Sequence, residues 1–210
     1  MSLRKPKHLF DEATFIRFAC ASIITALSAA PAVSAAPTAS AYANLAPSDF
    51  AKVRADFYSA AESLDATRQA IASMDAMFPG EITTWPGIAK AYRASLEGLI
   101  GKHDRRLSEK FTRVNNAIAM FDGLVENWPD SLEIRFLRYS FYSQIPGIFS
   151  VGHFVKPDLE AMLVMFERGG DSSVPRFQLL EMAEWLRTEG GLGGNERIRL
   201  SAAVGRLYLE

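Results

Sequence analysis

At 210 residues, 49% hydrophobic and 22% charged, the chain has the composition of a folded domain with an appendage, not of a disordered or fibrous protein. Its formal charge of −1 at pH 7 lacks the basic excess that general nucleic-acid binding needs. With one cysteine, it has no disulfide framework of its own.

Residues 1–35 read as a secretory signal peptide. Arg4, Lys5 and Lys7 supply the positive start, Phe15 to Ala30 an apolar run, and Val33 and Ala35 the small residues of a cleavage site. The run is shorter than the ~20 residues of a spanning helix, and Pro31 closes it, so cleavage is favoured over a retained anchor. No twin-arginine pair precedes it, which implies Sec-type export to the periplasm or beyond, and no later segment is apolar enough for a stable span. Cys20 lies near the start of the run, not at its end where a lipidated cysteine belongs. The mature chain then has no thiol and no Cys-ligated metal. Removing residues 1–35 takes four Lys/Arg and two Asp/Glu, leaving 19 against 22 and a charge of −3.

An Ala/Pro/Ser linker over residues 36–47 leads to Ser48, a residue suited to cap the next helix. From Asp49 to Phe78, Phe50, Val53, Phe57, Leu64, Ile71 and Met74 keep a helical period, with a break expected near Ser63–Thr67 and an end at Pro79-Gly80. Pro86 suits the start of a helix running to about Gly101. Lys102–Arg106 forms a charged link, and Leu107–Trp128 a further helix. Pro129-Asp130 ends that one and caps its successor, Ser131–Ile145, which is apolar nearly all round and so expects cover on more than one side. The Pro146–Gly152 loop is rich in apolar residues and expected to pack down. Asp158 is expected to cap a short helix carrying Leu159, Met162 and Phe166. Helices over Pro175–Thr188, with Phe177 on the apolar face, and Asn195–Leu209 complete the chain. No period-2 run reads as a strand.

Repetition favours a stack over a bundle. Two helices share an exit signal, an aromatic and then proline, at Phe78-Pro79 and Trp128-Pro129. Ala117 and Phe121 lie twelve and eight residues before Pro129, which resembles the second-helix signature of tetratricopeptide (TPR) repeats. The chain is also similar to bacterial helical-repeat proteins with an Asp-x-x-Glu-Ile-Arg-Phe-Leu-Arg core, here Asp130 and Glu133 to Arg138. The resemblance covers about residues 65–168; Leu124 stands where alanine is usual. It implies an all-α, short TPR-like stack of antiparallel hairpins over 48–168, a binding habit, and no catalytic residues. Residues 169–210 are expected as a C-terminal helical pair packed on that stack.

Chemistry is sparse. His103 and His153 form no His-x-x-x-His or His-Glu-x-x-His pattern, and no Gly-x-Ser-x-Gly occurs. Gly190–Gly194 is a flexible link, because a phosphate cradle follows a strand and carries Lys-Ser/Thr. No catalytic, cofactor-binding or metal-binding residue is expected. Two features stand above that background. Arg135, Arg138 and Tyr142 are spaced i, i+3, i+7 and share one stripe, where they suit recognition of carboxylates or peptide groups in a groove. The alternative is that the arginines bridge Glu133, Glu126 or another buried acid. Lys102, Arg105, Arg106, Lys110 and Arg113, with His103, form a basic patch suited to lipid headgroups, cell-wall polymer or an acidic partner, or else an ordinary solvated helix end. The reading is an exported, non-catalytic interaction module for a protein or peptide partner in the cell envelope. The alternative is a periplasmic small-molecule or lipid carrier using the Phe136–Phe149 region as a pocket; an enzyme ranks third.

Overall fold

The computed structural model describes residues 41–42 and 46–208. All regular structure among the described residues is helical, with no strand. The signal peptide with its cleavage site, most of the linker and Leu209 lie outside them.

Helices α1 (Pro47–Ala60) and α2 (Leu64–Met77) form the first hairpin. The break falls where expected. Ser63 Oγ accepts the Ala66 N–H at 3.1 Å, and Thr67 Oγ1 donates to the Ala60 and Ser63 carbonyls at 2.8 Å each. Ser48, however, does not cap α1. The helix starts two residues earlier, at Pro47, whose missing N–H costs nothing in a first turn, and Ala46 takes the flanking position.

Helix α3 (Gly87–His103) is the inner element of this half, packed against α1, α2, α4 and α6. Its glycines allow that closeness. A Cβ on Gly98 would stand 2.5 Å from Phe141 Cε2, and Phe141 is itself stacked on Phe121 with ring centroids 6.0 Å apart. Gly98→Ala is therefore expected to cost about 1–3 kcal/mol of overpacking, offset by up to about 1 from helix propensity. Gly205→Ala, on an open helical surface with nothing within 4 Å, is expected to move the other way by ~0.5–1 kcal/mol. Urea unfolding of the two variants checks both signs.

The expected helix Leu107–Trp128 is two helices, α4 (Leu107–Phe121) and α5 (Leu124–Asn127). Gly123 sits at φ +76°, a left-handed conformation that glycine adopts without steric cost, and the chain turns there. Ala117 and Phe121 are fully buried: the small residue faces the α3 side of the core, and Phe121 fills space against Phe141 and Tyr142. Helix α6 (Leu132–Tyr142) follows. Its cap is Ser131, whose Oγ accepts the Ile134 N–H at 3.4 Å, and not the exposed Asp130.

Helix α7 (Gly152–Glu167) begins six residues before the expected cap, so Asp158 lies inside it instead of capping it. The connection before it packs down only in part: Phe149 is half-buried while Ile148 is 65% exposed. Helices α8 (Arg176–Glu189) and α9 (Gly194–Leu207) close the chain, with α9 lying against both α7 and α8. On α8 the buried face is Gln178, Leu179, Met182, Ala183 and Leu186; Phe177, expected inside, is 61% exposed.

Two hydrophobic cores share α6. Ile134, Leu137, Phe141 and Tyr142 enter the first core with α1 to α4. Leu132, Phe136 and Tyr139 enter the second with α7, α8 and α9. A helix apolar nearly all round is explained by this two-sided cover. The successive contacts α1–α2, α2–α3, α3–α4, α3–α6 and α6–α7 are compatible with a TPR-like stack.

Candidate functional site

The Arg135–Arg138–Tyr142 stripe faces inward for most of its length. Arg138 clamps the fully buried Asp158 of α7 in bidentate fashion, Nε to Oδ2 and Nη2 to Oδ1 at 2.7 Å each. Arg135 donates to Asp158 Oδ1 at 2.9 Å and to the Pro129 carbonyl at 2.7 Å. Tyr142 is buried, edge-on to Phe121 at 5.9 Å, and its hydroxyl has no hydrogen-bond partner among the described residues. Burial and nearby Asp122 push that phenol well above its usual range. An open groove lined by all three residues is thus corrected: Arg138 and Tyr142 belong to the interior, and only the half-buried Arg135 reaches a surface recess. The cause is the early start of α7, which brings Asp158 under α6. Glu133 and Glu126 are not the acids that the two arginines find.

Glu133 organises a different cluster. Fully buried on α6, it accepts from Arg54 Nε and Nη2 at 2.8 Å each, from Tyr92 at 2.5 Å and from Tyr42 at 3.0 Å. Arg54 also lies 3.7 Å over the Phe50 ring. This ties α1, α3 and α6 to residues 41–42, where Ala41 accepts the Ile88 N–H at 3.2 Å. The expected linker is therefore built into the core at its only two described residues before Ala46. Sequence reasoning missed Tyr42, Arg54 and Tyr92. The available signal was a charge within the Phe50–Arg54–Phe57 stripe, where a solvent-facing residue does not belong.

Neither Glu133 nor Asp158 has any solvent exposure, and each carboxylate is held by guanidinium donors. Such groups hold helices together and have no access to a substrate. The phenols around them respond to alkali. Burial raises Tyr42, Tyr92 and Tyr142 above their usual range, and Tyr139 to about 12. The folded chain keeps these protons where the unfolded chain loses them, so stability is full below pH ~10 and falls as pH rises above it. Ultraviolet phenolate titration is expected to show Tyr139 ionising near 12 and Tyr42, Tyr92 and Tyr142 only with unfolding. These four phenols titrating together near 10 would contradict this burial.

The basic patch is partly committed. Arg113 donates to the buried Glu97 at 2.9 Å, a carboxylate that also holds Arg93 at 2.5 Å. Arg106 lies 3.5 Å from Asp104 and 3.9 Å from Glu109, and Lys110 Nζ donates to the Lys102 carbonyl at 3.3 Å. Arg105 is exposed. His103 is held below its usual pKa by desolvation and by Lys102 and Lys110. His153 is exposed, with Nδ1 2.9 Å from the Ser150 carbonyl. Among the described residues no group of His, Cys, Asp and Glu is arranged to hold a metal.

The Phe136–Phe149 region is filled by side chains: Phe136 meets Trp185 edge-on at 5.4 Å, and Phe149 meets Phe111 at 5.2 Å. An open cleft of about 400 Å³ lies instead between the α5–α6 turn and α7. Pro129, Pro157, Ala161, Val164 and Met165 give it an apolar lining, and Asp130, Arg135, Glu160 and Arg168 a charged one. No family model matches the chain, nor does any curated protein or solved structure match it.

Proposed function

We propose that this chain is an exported, non-catalytic, TPR-like interaction module that takes a protein or peptide segment in the cleft between the α5–α6 turn and α7. The observation that carries the reading is the cleft itself: open to solvent, apolar along Pro129, Pro157, Ala161 and Val164, with charges of both signs around it. Such a surface suits an apolar side chain flanked by polar groups, seated without enclosure. Arg135, already steadied by Asp158 and the Pro129 carbonyl, presents a preorganised cation, and the exposed Arg168 a second. The expected ligand is a segment carrying an apolar residue next to a carboxylate. Export rests on the basic start, apolar run and small-residue site of residues 1–35, and places the partner in the cell envelope.

A displayed peptide library selected on the full chain tests the reading. Enriched peptides are expected to share an apolar–acidic pair and to lose at least tenfold in affinity against Ala161→Glu and Arg168→Glu, a loss of about 1.4 kcal/mol. Peptides that bind both variants unchanged, or a library that yields none, would reject the cleft as the binding site.

A further inference from the structure

At the α3–α4 turn, the apolar stripe of α4 overruns its partner helix. Val114, Ala117 and Phe121 of that stripe are buried, but α3 ends at His103, so Leu107 at the other end of the stripe is 50% exposed. One turn on, Phe111 meets Phe149 of the α6–α7 connection, which brings a second tip to the same place. That tip carries Ile148, 65% exposed, ahead of Ser150 at φ +57°. Leu107, Phe111, Ile148 and Phe149 thus form one partly exposed apolar patch contributed by the turns of two hairpins.

The charge around the patch has one sign in excess. Lys102, Arg105, Arg106 and Lys110 stand in or beside the turn, against Asp104 and Glu109, on a chain that is otherwise acidic. His103 in the same turn is held below its usual pKa first by desolvation and then by Lys102 and Lys110. Exposed aliphatic tips set among cations match the interface of an anionic bilayer, in which apolar side chains enter the acyl boundary and cations meet headgroups.

We infer that the α3–α4 turn and the Gly147–Phe149 tip together form a peripheral membrane-docking surface for anionic lipid, seated through Leu107 and Ile148 and oriented by Arg105 and Arg106. It is separate from the cleft on α7, and it uses part of the basic patch while Arg113 serves the core through Glu97. Docked this way, the module is held at a lipid surface with its α7 cleft available to a partner.

The test places a polarity-sensitive dye at Ile148→Cys in the full chain with Cys20→Ser, and in a control chain at the equally exposed Ile198→Cys of α9. Vesicles are phosphatidylcholine alone or with about a third phosphatidylglycerol. The 148 dye is expected to shift to an apolar signal on anionic vesicles only, the 198 dye to stay unchanged, and added salt to reverse the shift. Arg105→Glu with Arg106→Glu is expected to weaken the response by at least about thirtyfold. Because the dye reports its own position, attachment through residues 1–35 does not mimic the result. An unshifted 148 dye, equal shifts at 148 and 198, or equal shifts on neutral vesicles would overturn the inference. So would binding of soluble polyglutamate by a tip that ignores vesicles.

Discussion

Glu133→Ala is expected to destabilise the folded chain by about 3–5 kcal/mol, the cost of leaving a buried charge without its partner. Arg54 is 5% exposed and spends two of its donors on that carboxylate, while Tyr42 and Tyr92 donate to the same oxygens. With Glu133 gone, the Arg54 guanidinium and the Tyr92 phenol lose their acceptor in a buried site. A loss of this size takes a large fraction of a typical domain's 5–15 kcal/mol. Replacing both partners, Arg54→Leu with Glu133→Leu, is expected to recover part of it, since no unpaired charge remains while the buried Tyr92 hydroxyl still lacks its acceptor. Urea midpoints of Arg54→Leu, Glu133→Leu and the double variant check the cycle. A single-variant loss below about 1 kcal/mol would mean that water reaches Arg54.

Asp158→Ala is expected to rank next, at about 3 kcal/mol or slightly more. It releases two arginines, but they differ in what they can do. Arg138 has a 9% exposed side chain between α6 and α7 and keeps ring contacts alone, with its Cζ 4.8 Å from the Phe154 ring centre and 5.9 Å from that of Tyr142. Arg135 is 15% exposed and retains the Pro129 carbonyl, so it can turn toward the cleft and water. Arg138→Ala is therefore expected to cost more than Arg135→Ala, and Asp158→Ala with Arg138→Met to cost less than the sum of the single changes. The rank order by urea unfolding is the check; Arg135→Ala as the costlier single variant would invert the assignment of which arginine holds the two helices. Because Asp158 links α6 to α7, its loss is also expected to raise amide exchange in the α7–α9 half before the α1–α4 half.

Much of the architecture was readable from the amino acids alone, because helical periodicity and its punctuation are local. Phe50, Val53 and Met74 on one side and Ala117 and Phe121 on the other are buried as their spacing predicts. The break at Ser63 and the exit at Phe78-Pro79-Gly80 follow from a side-chain cap, a residue without an N–H and a glycine at φ +104°. The all-round apolar character of α6 likewise announced an inner helix. Where local chemistry allowed two outcomes, the reading erred. Gly123 inside an otherwise periodic run gives no sign of whether it is tolerated or turns left-handed. Asp158 after Pro157 looks like a cap in sequence and is a buried ion-pair partner in the fold.

The candidate site was less legible, because the role of a charge depends on what faces it. Sequence alone determined that Arg135, Arg138 and Tyr142 share a stripe, that a basic cluster sits near Arg105, and that the described chain is helical throughout. It could not assign Arg138 to Asp158, twenty residues on, or Arg54 to Glu133, seventy-nine residues on. Only the tertiary structure made those pairings, divided α6 between two cores, and left Arg135 beside the cleft while closing over its neighbours. The physical reason is range. Periodicity and capping act within one or two helical turns, whereas a buried charge is settled by whichever opposite charge packing brings within about 3 Å.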